Sequence, residues 1–146
     1  MNILVVEDEE NKAKRILSFL HTTMEDNIVD MAKSYMSALI KLANNKYDYI
    51  ILDMSLPLND DNYVQEDFNT FAGLEILDEL KRKQREERVV VFTAFDILGE
   101  NEKRISLPEL DERMKMKYSE NYIGCVHYNA LSLEWQAEII NKIEKG

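Results

Sequence analysis

The sequence predicts an α/β domain: a doubly wound, five-stranded parallel sheet in the order 2-1-3-4-5, with helices on both faces. Three observations carry this. Short β-rich runs recur along the chain, segments of helical period separate them, and the first, third and fourth runs are almost continuously apolar rather than alternating. Continuous apolar runs mark strands covered on both faces. Strict alternation of strand and helix implies right-handed crossovers, and with five strands the doubly wound order is 2-1-3-4-5.

The elements follow in order. Ile3–Val6 is the first strand, and Ala13, Ile16, Leu17, Leu20 and Met24 form the apolar stripe of the helix after it. Asn27–Met31 is weaker and fits an edge strand. A second stripe runs through Ala32, Tyr35, Met36, Leu39 and Ala43, and Tyr49–Leu52 is the central strand. Gly73, Ile76, Leu77 and Leu80 make the third stripe, followed by the strand Val89–Phe92. Ser106-Leu107-Pro108-Glu109 reads as a capping box opening a helix towards Tyr118. Ile123–Val126 is the last strand, and Ser132 is the N-cap of a final helix carrying Leu133, Ala137, Ile140 and Ile143. Two connections are long for this architecture, Leu58 to about Thr70 and Asp96 to Ile105, and long loops in compact domains are usually functional or mobile.

Composition bounds the partners. With 146 residues the chain is expected to be a single domain spanning 1–146, and its 45% apolar content is enough for a core. The 28 Asp and Glu against 18 Lys and Arg give a net charge of −10, which argues against nucleic acid and anionic membrane as partners. The single cysteine, Cys125, reads as a small buried hydrophobe without a redox role. There is no signal-like start and no apolar run near the roughly 18 residues of a membrane span. A cytoplasmic location is the expectation. Trp135, Tyr122 and Tyr128 have no basic stripe beside them and read as packing residues, and Asn59–Asn62 lacks the spacing of a calcium loop.

In an open α/β sheet, ligands bind beyond the carboxyl ends of the strands, where strand order reverses. The first strand ends in Glu7-Asp8, the third in Asp53, the fourth in Thr93 and the fifth in His127-Tyr128. Strands one and three are neighbours in the expected order, which brings three carboxylates together. Acids at such quarters repel one another unless a cation neutralises them. A hard ion with oxygen ligands fits, and Mg²⁺ is the intracellular choice. Asp53 is also a candidate nucleophile, since Asp carboxylates form aspartyl-phosphates in phosphoryl transfer.

These residues carry a resemblance. Ile3-Leu4-Val5-Val6-Glu7-Asp8-Glu9, then Ile50-Ile51-Leu52-Asp53-Met54-Ser55-Leu56-Pro57, then Gly73-Leu74-Glu75-Ile76-Leu77, then Val89-Val90-Val91-Phe92-Thr93-Ala94 resemble the two-component response regulator receiver domain, the CheY-like form of the flavodoxin-like fold, over nearly the full chain. The resemblance implies that Asp8, Asp53 and the Ser55 carbonyl ligate Mg²⁺, with Glu7 assisting through water. It implies that Asp53 accepts a phosphoryl group from a histidine kinase or a small phosphodonor, and that Thr93 then swings to bond a phosphoryl oxygen. The face formed by the fourth helix, fifth strand and fifth helix would exchange a downstream protein partner. The expectation is therefore a phosphoacceptor without an output domain, not an enzyme beyond autophosphorylation and autodephosphorylation. A homodimer is left open.

The sequence departs from the family twice. The Pro57–Gly73 connection is about a dozen residues longer than the resemblance leads one to expect, and the lysine that ends the family's fifth strand is missing from Tyr122-Ile123-Gly124-Cys125-Val126-His127-Tyr128-Asn129. His127 matches its place best, and a shift of one residue would put Tyr128 there. Histidine is shorter than lysine and carries less positive charge at neutral pH. A second reading is therefore a receiver-like binding module that no longer switches by phosphorylation. A third, a phosphohydrolase of the haloacid-dehalogenase kind, lacks its second Asp, because Ser55 stands there.

Overall fold

The computed structural model describes residues 1–24, 26–61 and 68–145. Strands β1 (Asn2–Val6), β2 (Ile28–Ala32), β3 (Tyr49–Leu52), β4 (Arg88–Thr93) and β5 (Tyr122–His127) form one parallel sheet in the order β2-β1-β3-β4-β5. Helices α1 (Glu10–Thr23), α2 (Tyr35–Asn44), α3 (Ala72–Arg82), α4 (Leu107–Lys117) and α5 (Glu134–Lys145) alternate with the strands. The doubly wound sheet read from the sequence is the one observed. Among the described residues, no helix is long and apolar enough to cross a membrane.

The continuous apolar strands divide their residues between two cores. Leu4, Val6, Ile50, Leu52, Val89 and Val91 pack with Ala38, Leu42, Ile76, Leu77, Leu110 and Met114, so α2, α3 and α4 cover one face. Ile3, Val5, Ile51, Val90 and Phe92 pack with Ile16, Phe19, Leu20, Trp135 and Ile139 from α1 and α5 on the other. Successive strand residues point to opposite faces, and each fully buried aliphatic contributes about 1.5–3 kcal/mol. At the amino end of β4, Glu87 is 3% exposed and is held by the Arg85 guanidinium and the Tyr47 N–H. Arg85 also donates to the Leu42 and Asn45 carbonyls, which ties α2 to the sheet.

The second apolar stripe is a correction. Met36 and Ala43 are exposed, Ala32 ends β2, and α2 buries Ala38 and Leu42 instead. Apolar residues run nearly all round this helix, so periodicity alone does not pick its face. The face is chosen by packing, which sets Ala38 and Leu42 in the core with strand and α3 residues, while Ser34 fixes the start of the helix, its Oγ accepting the Ser37 N–H at 3.1 Å and donating to Asp60 at 2.7 Å. Ser106 caps α4 by accepting the Glu109 N–H, the Ser106 half of the expected capping box, and Ser132 Oγ accepts from the Glu134 N–H at the start of α5. The stripe expected on α5 is corrected: Ile143 is buried, but Leu133 and Ala137 are exposed, and Trp135 and Ile139 are buried instead.

The two long connections are hairpin-like excursions. Leu56–Pro57 pairs with Phe68–Asn69, and Ile97–Leu98 pairs with Ile105–Ser106, both antiparallel. Residues 62–67, including Asn62, Glu66 and Asp67 of the first connection, lie outside the described residues. Gly99 turns the second excursion at φ +84°, where a methyl group would stand 2.6 Å from the Lys103 carbonyl oxygen and 3.3 Å from the Phe71 ring. The two excursions therefore meet, at the end of the sheet where the strand-end carboxylates emerge.

Candidate functional site

Parallel pairing of β1 with β3, Val6 opposite Leu52, delivers Glu7-Asp8 and Asp53 side by side. Backbone bonds fix the exits: the Glu7 N–H donates to the Ala32 carbonyl at 2.9 Å and the Asp53 N–H to the Val6 carbonyl at 3.0 Å. One carboxylate oxygen from each of Glu7, Asp8 and Asp53 lies within 4.8 Å of the others. Glu7 is 2% exposed and Asp53 7%. The Asp53 Oδ1 accepts the Met54 N–H at 2.8 Å, and the Glu7 Oε2 accepts the Glu9 N–H at 3.1 Å. Behind Asp53, α3 starts in contact with the turn, its Gly73 N–H bonded to the Met54 carbonyl at 2.9 Å.

The sequence reading missed Lys12. Glu9 caps α1, its carboxylate accepting from the Asn11 and Lys12 N–H groups, and this first turn aims the Lys12 side chain inward. Its ammonium lies 2.5 Å from Glu7 Oε1 and 3.7 Å from Asp53 Oδ2, and donates to the Phe92 carbonyl at 3.0 Å. It also sits 4.9 Å from the centre of the Phe92 ring, within cation–π range. Lys12 is 3% exposed. A sequence signal did exist: Lys12 falls one turn before Ile16 and two before Leu20, on the buried stripe of α1. A lysine there demands a buried anion.

Burial is the main reason all three carboxyl groups are pushed up. For Glu7 the Asp53 charge adds to it while Lys12 opposes, for Asp53 Lys12 again opposes, and Asp8 is raised to about 6 by burial and then by Glu7. Three carboxylates against one ammonium leave two negative charges when all are ionised. A hard divalent cation matches both that deficit and the all-oxygen donor set, so the residues fit Mg²⁺. They open into a cavity of about 640 Å³ lined also by Ser55, Ala94, Phe95 and Tyr128, with Thr70 and Glu100 from the two excursions.

A family model, "Response regulator receiver domain", matches residues 3–107. The chain belongs to this receiver family. An uncharacterised protein of Sinorhizobium fredii is 26% identical over 97% of this chain and 95% of its own length. The Detocs response regulatory protein DtcB of Enterobacter cloacae is 20% identical over 98% of both chains. Among solved structures, the chemotaxis response regulator CheY4 of Vibrio cholerae superposes with TM-score 0.66 at 16% identity over 97% of both chains. The response regulator TrrA of Thermotoga maritima, solved in complex with Mg²⁺ and BeF, superposes with TM-score 0.61 at 20% identity over 97% of both.

Within this receiver, the remaining strand-end residues take distinct places. Thr93 is fully buried and its Oγ1 accepts the Phe95 N–H at 3.2 Å. His127 is not among the cavity-lining residues. Its Nε2 lies 3.1 Å from the Ala94 carbonyl and 3.1 Å from Asp96, so the structure does not bring it to the carboxylates. Tyr128 does line the cavity, its hydroxyl accepting from Arg15 at 3.0 Å. The β4–β5 register explains the split: it slips by one residue between Val89 and Val90, so Tyr122 pairs with Val89 but Gly124 with Val90. Such a slip swaps the facing of every residue after it.

Proposed function

We propose that this receiver accepts a phosphoryl group on Asp53 and relays a signal by protein contact. The observation that supports it most is the near-buried Asp53 carboxylate at the end of the central strand, clustered with Glu7 and Asp8 and open to the cavity. An Asp53 carboxylate oxygen would attack phosphorus; the bond from phosphorus to the donor's oxygen or imidazole nitrogen breaks, and its electron pair leaves with the donor. The donor would be a histidine kinase or a small phosphodonor. Asp8, Asp53 and the Ser55 carbonyl would hold Mg²⁺, with Glu7 beside them. When bound, the ion would supply charge neutralisation at the phosphoryl oxygens. Thr93 would exchange its Phe95 N–H contact for a phosphoryl oxygen. That one relative was solved with Mg²⁺ and BeF supports the same reading here.

Incubation with acetyl phosphate and Mg²⁺, followed by intact mass measurement, tests it. Wild type is expected to gain the mass of one phosphoryl group and Asp53→Asn none. The second reading, a binding module that no longer switches, draws on the placement of His127 away from the carboxylates. Absence of the adduct from wild type would favour that reading and overturn the first.

A further inference from the structure

We infer that Lys12, from the first turn of α1, is the phosphoryl-binding cation of this receiver, in place of the lysine absent from the end of β5. The inference rests on phosphorylation of Asp53. Among the described residues, Lys12 is the one lysine or arginine lining the cavity, and its ammonium is already 3.7 Å from the acceptor carboxylate. In the unphosphorylated state it is parked on Glu7 and the Phe92 carbonyl. A phosphoryl group carries about −1.5 to −2 charge at neutral pH and adds three acceptor oxygens beside that ammonium. With Mg²⁺, Glu7, Asp8 and a doubly charged phosphoryl group in place, the pocket would hold one net negative charge with Lys12 and two without it. The stronger anion draws the ammonium from Glu7 towards the phosphoryl oxygens.

The origin of the cation alters what is coupled to it. A lysine on β5 would pull on the sheet edge. Lys12 instead pulls on α1 and on the aromatic cluster it touches: Phe92 at 4.9 Å and Tyr128 at 5.7 Å from its Nζ. Both rings pack on Trp135, with centroids 5.3 Å and 5.6 Å away. Movement of Lys12 is therefore reported by the single tryptophan, and the α1–α5 side of the domain changes on phosphorylation.

The test compares wild type, Lys12→Met and Lys12→Arg. Acetyl phosphate labelling is followed by mass, and Trp135 fluorescence by titration with Mg²⁺ alone and then with beryllofluoride. Wild type is expected to label and to change its fluorescence when beryllofluoride follows Mg²⁺. Lys12→Met is expected to label at least about 10-fold more slowly, as for loss of one donor to a developing oxyanion, and to lose the fluorescence change; Lys12→Arg recovers part of both. Because Lys12→Met strips a buried carboxylate of its partner and risks unfolding, the wild-type Lys12 ammonium is also followed by nitrogen NMR. Its signal is expected to shift on beryllofluoride beyond any shift caused by Mg²⁺. Wild type that labels while its ammonium signal stays fixed, or a folded Lys12→Met that labels and responds like wild type, overturns the inference alone. Wild type that does not label overturns the underlying reading with it.

Discussion

Raising the pH of metal-free protein from about 5 to about 8 should weaken the fold, and Asp8→Asn should blunt the effect. A carboxyl group whose folded pKa is raised contributes stability that is fully present below its ordinary pKa and is lost as pH rises through the folded one. For Asp8 those values are 3.8 and about 6. At about 1.36 kcal/mol per unit the whole shift is worth at most about 3 kcal/mol, of which about 1.4 kcal/mol remains to be lost above about pH 5. Solvent screening at this partly exposed group brings its share below about 1 kcal/mol. Glu7 and Asp53 are raised as well and add with the same sign. Urea unfolding followed by Trp135, which is 3% exposed and the only tryptophan, measures it in the presence of a chelator. Wild type should lose about 1 kcal/mol or more between the two pH values, Asp8→Asn less, and Mg²⁺ should restore stability near pH 8 by mass action, about 2.7 kcal/mol at a hundredfold excess over its dissociation constant. A metal-free wild type whose stability is flat or rises over this interval, or an Asp8→Asn slope as steep as wild type, would refute the reasoning.

Other perturbations probe the supports of the site. Gly73→Ala would place a methyl 3.0 Å from the Asp53 carbonyl oxygen and the Met54 Cα; it should cost about 1–3 kcal/mol and move the Met54 and Asp53 amide signals, and an unchanged melting temperature would contradict that packing. Arg85→Ala strands the Glu87 carboxylate, whose burial would raise its pKa but which Arg85 and the Tyr47 N–H hold below the ordinary value. A loss of about 3–5 kcal/mol in urea unfolding is expected, and Arg85→Ala with Glu87→Leu should recover much of it. Tyr128→Phe removes the acceptor of Arg15 and should cost about 1 kcal/mol, with the aromatic packing on Trp135 kept and its emission maximum unmoved.

Much of this receiver was legible in the chain because the signals were local. A strand buried on both faces must be apolar at every position, so Ile3–Val6, Tyr49–Leu52 and Val89–Phe92 announce themselves, and their order with intervening helices leaves few topologies. Those strands in turn place Glu7, Asp8 and Asp53 at one end of the sheet, and the observed cluster holds those three residues. Tertiary structure decided what depends on contacts between distant residues. The buried face of α2, Ala38 and Leu42, is set by the strands and helix it packs against rather than by a periodicity that is apolar on nearly all sides. The choice between His127 and Tyr128 turns on a one-residue slip of β5 against β4, marked in the strand's own sequence by Gly124 alone, which sits at the slip with φ +146°, and the partner strand decides which way the residues after it face. Lys12 is the clearest case: its place on the buried stripe of α1 signals a buried cation, but only the packing of α1 against the ends of β1, β3 and β4 names its partners and sets it 3.7 Å from Asp53. Local patterns fix where backbone goes, because burial and periodicity act within an element. The partner of a buried charge is fixed by whichever elements close over it.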